Sequence, residues 1–246
     1  MISAQNVSTR RTGRRLYEPV APATVPPPME LAELRRICVP CSVDIEVSAL
    51  LDKCGIRPAW VDDFHLARAL PVTVPVPVWA SLRGVRPSRV SWIESGHRLI
   101  VPAYDALGRM RSVRAWCVRE TDDPKRVSPA GYASRHLILA CGQGVTLLSG
   151  GLEKRGGEPH PRVVIVEGEP DFLTWATRSS DASESVPIVL GVFAGAWSDD
   201  FARRIPPGAR VVVRTHHGPE GDALAEAIRR SLEGRAVRVH RSREAA

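Results

Sequence analysis

Residues able to do metal or acid–base chemistry cluster at two places in the C-terminal part of the chain. The stretch EGEPD carries Glu167 and Asp171, and the stretch THHGPEGD carries His216 and Asp222. Hard cations such as Mg²⁺ prefer carboxylate oxygens, whereas imidazole suits ions such as Zn²⁺ or iron. Acidic residues are also common at helix starts, where they interact favourably with the helix dipole. From the residues alone, a metal or acid–base site and two ordinary helix starts are both open.

Both clusters follow short apolar runs that are typical of buried strands. Four such runs predict the strands 162–166, 186–193, 209–215 and 236–241. Helical patterns fill the intervals, namely FLTWATRSS, SDDFARRI with Ser198 as its N-cap, and EGDALAEAIRRSLEG closed by Gly234. Strands that alternate with helices predict an α/β fold, with a small parallel sheet flanked by helices. The carboxyl ends of such strands share one edge of the sheet, where ligands bind.

The preceding residues, 30–155, predict a mixed α+β segment. Its predicted helices are MELAELRR, DIEVSALLDKCG and AWVDDFHLARAL. Two strand-like runs, at about 98–104 and 109–118, flank the turn DALG and predict a hairpin. HLILA and VTLLSG are predicted as further short strands, and residues 1–29 as a flexible basic tail that ends in prolines.

Composition narrows the class of protein. The net charge is +7, and only three of the 34 basic side chains are lysines, at positions 53, 125 and 154. Arginine suits phosphate groups, which favours an anionic partner such as nucleic acid, although a GC-rich coding sequence gives the same skew. No apolar stretch approaches the length of a membrane span and no secretory signal is present, so the prediction is a cytoplasmic protein without a membrane partner.

The five cysteines are odd in number and scattered, as expected for reduced thiols. Cys38 and Cys41 form the motif CVPC, which is half of a zinc site. No second pair follows at the spacing of a zinc finger, so free thiols near a helix start are the prediction.

Three segments in series resemble the Toprim domain shared by topoisomerases and primases. They are VVIVEGEPDFLTW, GVFAGAWSDDFARRI and VVVRTHHGPEGDALAEAIRRSLEG, and the resemblance covers residues 160–243. Upstream, HRLIVPAYDALGRMRSVRAW and DPKRVSPAG are similar to segments that precede this domain in bacterial and phage primases. CVPC does not match the primase zinc-binding domain and no helicase domain is recognised. The expectation is a primase-like core without these neighbours, as is common among phage and mobile-element proteins.

The resemblance implies a role for individual residues. Glu167 matches the Toprim glutamate, which serves as a general acid–base or metal-linked carboxylate, and Gly168 and Asp171 match their motif positions. In the second motif, Gly221 matches the glycine, whereas His216 falls on the first metal-binding aspartate.

Gly218 falls on the second aspartate of that motif, so both acids are replaced. A divalent metal, Mg²⁺ or Mn²⁺, is implied, with Glu167, Asp171, His216 and Asp222 as its predicted ligands. Asp222, like Glu220, is near enough in sequence to substitute for a missing acid.

The resemblance implies DNA, single-stranded or template, as a partner, together with a replicative helicase or another replication protein. The predicted nucleic-acid-binding residues are Arg98, Arg109, Arg111, Arg114, Lys125 and Arg126. The alternative for this group is an ordinary basic sheet surface. Three functions follow: metal-dependent nucleotidyl or phosphoryl transfer in replication of a phage or mobile element, nucleic-acid binding by a catalytically degenerate accessory protein, and a Toprim-type nuclease.

Overall fold

The structure is a computed structural model, which describes residues 25–82, 89–151, 160–178, 187–193, 195–235 and 238–242. The helices are α1 (Pro28–Ile37), α2 (Ile45–Lys53), α3 (Pro58–Asp63), α4 (Gly142–Leu148), α5 (Gly168–Thr177), α6 (Asp199–Ala202) and α7 (Pro219–Ser231). The strands are β1 (Arg68–Ala69), β2 (His97–Tyr104), β3 (Met110–Cys117), β4 (Arg126–Val127), β5 (Leu139–Ala140), β6 (Arg162–Glu167), β7 (Ile188–Val192), β8 (Arg210–Arg214) and β9 (Arg238–Arg241). This mixture of helices and two sheets confirms the α/β prediction.

The first sheet is antiparallel, in the order β1-β2-β3-β4. The predicted hairpin is present as β2 and β3. Its turn is closed by Asp105, whose Oδ1 accepts hydrogen bonds from the backbone N–H groups of Leu107 and Arg109 at 2.9 and 3.0 Å. Gly108 has a φ of 71°, and a Cβ there would lie 2.8 Å from the carbonyl oxygen of Val145. Glycine is therefore required both by the turn and by the close approach of α4.

The second sheet has the order β5-β7-β6-β8-β9. The four strands β7, β6, β8 and β9 are parallel, as the alternating pattern predicts, and β5 adds an antiparallel edge to β7. In the register of β6 and β8, Val166 lies beside Arg214. The residues that follow these two strands therefore leave the sheet side by side.

Some predicted elements differ from the structure. VTLLSG is not a strand, because residues 142–148 form α4, which turns Leu147 and Leu148 into the core. The helix predicted over 59–70 ends at Asp63; His65 then has a left-handed φ of 53°, and β1 follows. Ser198 does occupy the N-cap position of α6, but its side chain makes no capping hydrogen bond.

One large hydrophobic core joins the two sheets. It includes Leu99 and Val101 of β2 as well as Val164 and Ile165 of β6, each at most 1% exposed. β5, which lies within residues 30–155, belongs to the second sheet. The division into segments 30–155 and 160–243 remains a prediction, and most of the predicted tail 1–29 lies outside the described residues. Among the helices that the structure describes, none has the length and apolar character needed to span a membrane.

Candidate functional site

Glu167 stands where β6 ends and α5 begins. The next residue, Gly168, has a φ of 84°, which lets the strand turn directly into the helix. The Glu167 carboxylate accepts a hydrogen bond from the backbone N–H of His216, with 2.9 Å between nitrogen and Oε2. This contact follows from the parallel pairing of β6 and β8, and it holds the glutamate at the carboxyl edge of the sheet.

The ring of His216 lies between two carboxylates. Its Nδ1 is 3.6 Å from Oε1 of Glu167, and its Nε2 is 3.6 Å from Oδ2 of Asp171 in the first turn of α5. The structure thus brings together three of the four predicted metal-site residues, from three different elements. They form a carboxylate–imidazole–carboxylate bridge, the His216 bridge.

The fourth residue, Asp222, is directed elsewhere. Its carboxylate forms an ion pair with Arg241 of β9, with 2.5 Å between Oδ1 and Nη2. The same Arg241 nitrogen donates to the Thr215 hydroxyl at 3.0 Å. The start of α7 packs tightly on the preceding loop, since a Cβ on Gly221 would lie 2.1 Å from the carbonyl oxygen of His216. Gly221 is therefore needed for this close approach.

Glu169 belongs to the site although it was not among the predicted site residues. It is 2% exposed, and its Oε1 accepts a hydrogen bond from Nε of Arg114 at 2.6 Å. Arg126 lies 3.8 Å from its other oxygen. Because Arg114 is on β3 and Arg126 on β4, this buried carboxylate ties α5 to the first sheet. The two arginines are 55 and 43 positions away in the chain, and no local pattern in the sequence signals their contact.

Arg114 and Arg126 also line a cleft of about 510 Å³ beside the first sheet. We call it the arginine cleft; it is lined by Ser81, Leu82, Arg114, Pro124, Arg126, Val127, Ser128, Pro129, Tyr132, Ala133, Ser134 and Arg135. The guanidinium of Arg114 is fixed there by the Ser128 hydroxyl at 2.5 Å and by the ring of Phe193, whose centroid is 5.1 Å away. Among the residues that the structure describes, three arginines and no acidic side chain line the cleft, so it suits an anion.

The arginine cleft adjoins the edge of the second sheet at which Glu167 and Asp171 lie, which we call the carboxylate edge. A Cβ on Gly168 would lie 3.4 Å from Nη1 of Arg126, so this arginine reaches the residue next to Glu167. Arg126 therefore connects the arginine cleft to the His216 bridge.

Arg98 does not lie on the protein surface, where it could bind nucleic acid. It is 3% exposed, and its guanidinium forms ion pairs with Asp44 and with Glu46, the latter at 2.5 Å. Its Nε donates to the backbone carbonyl of Leu70 at 2.8 Å. The predicted role in nucleic-acid binding is wrong for this residue, because its donors are used to hold α2 and β1 against β2.

The other predicted basic residues lie outside the arginine cleft. Arg109 pairs with Asp105 at the hairpin turn, 2.8 Å apart, and Arg111 lies at a register shift between β2 and β3. That shift breaks the regular alternation of side chains between the two faces of the hairpin. Lys125 is exposed next to Arg126.

The chain resembles solved primase structures. It superimposes on the zinc-binding and RNA polymerase domains of the Aquifex aeolicus primase with a TM-score of 0.58 and 14% identity, over 88% of this chain and 54% of that one. The RNA polymerase domain of the Mycobacterium tuberculosis primase gives a TM-score of 0.53 and 13% identity, over 88% of this chain and 74% of that one. The chain has a primase-like fold.

That likeness is one of structure alone. No protein-family model matches the chain, and no curated protein matches it. The primase-like chain spans about half the length of the Aquifex structure, 54%.

The magnesium ion that the Toprim resemblance implies does not fit the side chains at the edge of this primase-like fold. The two nitrogens of His216 face different carboxylates, so an ion at either nitrogen would have that nitrogen and one carboxylate as ligands. Mg²⁺ requires oxygen ligands in near-octahedral geometry, and zinc sites have at least three protein ligands. Within the described ranges, no group of three or more histidine, cysteine, aspartate or glutamate side chains is placed to hold a metal.

The CVPC cysteines of the primase-like chain are free and buried. Burial raises the pKa of the Cys38 thiol to about 12 and raises that of Cys41 as well. Both thiols remain protonated near neutral pH.

Proposed function

We propose that this chain is a primase-like protein that binds DNA, as a single strand or a template, in the arginine cleft. The observation that carries the proposal is the convergence of Arg114, Arg126 and Arg135 on one concave surface that adjoins Glu167. Guanidinium groups bind phosphate with a planar pair of donors, and such contacts supply most of the affinity of nucleic-acid-binding proteins.

The composition of the cleft favours a single strand. Tyr132 lines it among the arginines, and grooves that combine cationic side chains with an aromatic ring bind single strands through phosphate contacts and base stacking. A role in the replication of a phage or mobile element, beside a helicase or another replication protein, belongs to this proposal and is supported by the primase-like fold.

The test is fluorescence anisotropy of a labelled single-stranded DNA over a range of salt concentrations, with the whole chain and its Arg135→Ala variant. Each lost phosphate contact lowers the slope of log K against log salt by about 0.7 for a single strand. Arg135→Ala is expected to weaken binding and to lower the slope by that amount. The matched control is Arg229→Ala, which removes the same charge from an exposed position on α7, where the arginine is already paired with Glu226 and Glu233.

Equal binding by wild type and Arg135→Ala, or an equal loss in both variants, would contradict the assignment of the cleft. Absence of any affinity for DNA or RNA at low salt would contradict the function itself.

Metal-dependent nucleotidyl transfer is the second candidate function. It is suggested by the primase-like fold and opposed by the ring of His216, which lies between Glu167 and Asp171 at the edge of the sheet. Its test is primer synthesis on a single-stranded template with Mg²⁺ or Mn²⁺, which must disappear in Glu167→Gln. DNA binding without synthesis would leave the accessory binding function.

A further inference from the structure

The His216 bridge occupies the position at which the Toprim resemblance places a divalent ion. We propose that the imidazole of His216 replaces this ion, so that the carboxylate edge is held together without a metal. The proposal does not depend on DNA binding in the arginine cleft.

The geometry of the His216 ring supports this replacement. Glu167 and Asp171 lie on opposite sides of it, each 3.6 Å from a different nitrogen. An ion shared by the two carboxylates would need both within about 2.0–2.6 Å, which the intervening ring prevents. The backbone N–H of the same histidine also donates a hydrogen bond to Glu167, at 2.9 Å, so the main chain holds His216 beside that carboxylate.

The backbone of Gly218, which matches the position of the second Toprim aspartate, also supports the proposal. Its φ of 116° and ψ of 174° lie in a region that is essentially restricted to glycine. An aspartate could occupy this position only at the cost of strain or of a rearranged loop.

Two other acids of this region are already bound by arginines. Asp222 is paired with Arg241, and Glu169 is buried against Arg114. Neither can join Glu167 on an ion without giving up a close ion pair.

The test is titration of Mn²⁺ with the full chain, following free Mn²⁺ by electron paramagnetic resonance. Mn²⁺ is a stringent probe, because it accepts both carboxylate and imidazole ligands better than Mg²⁺ does. We expect no Glu167-dependent binding by the wild type, meaning no difference between wild type and Glu167→Gln. His216→Asp removes the ring and adds a third carboxylate, and we expect it to bind one Mn²⁺ at least tenfold more tightly than the wild type.

The matched control is His217→Asp, which makes the same change at the neighbouring exposed histidine and is expected to behave as the wild type. Thermal unfolding supplies a second readout, since a ligand that binds only the folded state raises the melting temperature. Mn²⁺ should raise the melting temperature of His216→Asp and not that of His216→Asp combined with Glu167→Gln.

Two results would overturn the proposal. One is Mn²⁺ binding by the wild type that is lost in Glu167→Gln. This result can be obtained without any variant at position 216. The other is a folded His216→Asp that gains no Mn²⁺ affinity over the wild type. Neither result bears on DNA binding by the arginine cleft, so this proposal and the proposed function fail separately.

Discussion

Removal of the Glu169 carboxylate should destabilise the protein more than removal of any exposed carboxylate. Its two contacts are to Arg114 at 2.6 Å and to Arg126 at 3.8 Å, and the glutamate itself is 2% exposed. Glu169→Ala would leave the Arg114 guanidinium, 15% exposed, without its charged partner.

The magnitude follows from that burial. Loss of one member of a buried ion pair costs roughly 3–5 kcal/mol, because the other charge stays desolvated. We expect the lower half of this range for Glu169→Ala, since Arg114 keeps some exposure and a hydrogen bond to Ser128. Glu169→Gln keeps one acceptor for Arg114 but places an amide NH2, which can only donate, towards Arg126, so it should cost about 1.5–3 kcal/mol, the usual value of a hydrogen bond to a charged group.

The assay is urea unfolding followed by the fluorescence of the six tryptophans. Glu226 is the matched control, because its carboxylate also contacts two arginines, Arg229 and Arg230, each at 2.8 Å. The hydrogen bond from Arg229 lowers the pKa of Glu226 to about 2, yet all three side chains are at the surface. Exposed ion pairs contribute little to stability, so Glu226→Ala should leave the urea midpoint unchanged. If Glu169→Ala lowers the urea midpoint no more than Glu226→Ala does, burial does not make the Glu169 ion pairs more stabilising than exposed ones.

Two further predictions concern the packing and the pH dependence of the fold. Gly221→Ala forces a Cβ against the His216 carbonyl and should cost about 1–3 kcal/mol in urea unfolding, as overpacking does, whereas Gly142→Ala meets no atom within 4 Å and should be neutral or slightly stabilising. Equal effects would show that the close approach of α7 is not required. Burial lowers the pKa of His97, so the unfolded chain takes up the proton first and stability should fall as the pH drops below the pKa of an unfolded histidine. Urea midpoints between pH 7.5 and 5 should fall less steeply in His97→Gln, and parallel curves would refute this.

The sequence predicts the hairpin of β2 and β3 and the parallel strands β6 to β9 because their signals are local, whereas β1 and β4 were not predicted. Residues 162–214 alternate apolar runs with helical patterns, and the hairpin turn has Asp105 and Gly108 where a turn requires them. VTLLSG was misassigned because a short apolar run fits a buried strand and a buried helix equally well. The helix is selected by contacts with β7, which are distant in sequence.

The carboxylate edge was predictable for a topological reason. Parallel neighbouring strands bring their carboxyl ends together, so Glu167 and His216 had to be close once β6 and β8 were paired. The direction of each side chain was not predictable in this way. Arg98 and Arg114 are both strand arginines, yet Arg98 is turned inward by acids on α2, which lie more than 50 positions away in the chain.

The three residues Glu167, Gly168 and Glu169 link the two halves of the site. Glu169 offsets part of the positive charge of Arg114 and fixes the direction of the Arg114 side chain. Arg114 is therefore already paired before a phosphate binds in the cleft. Arg135 also lines the cleft, and it forms no ion pair with a buried carboxylate among the residues that the structure describes. Arg114→Ala should therefore lower the free energy of unfolding more than it lowers the salt slope of DNA binding, and Arg135→Ala should do the reverse. An equal slope change in both variants, without a difference in stability, would mean that Glu169 does not hold Arg114 as the structure implies.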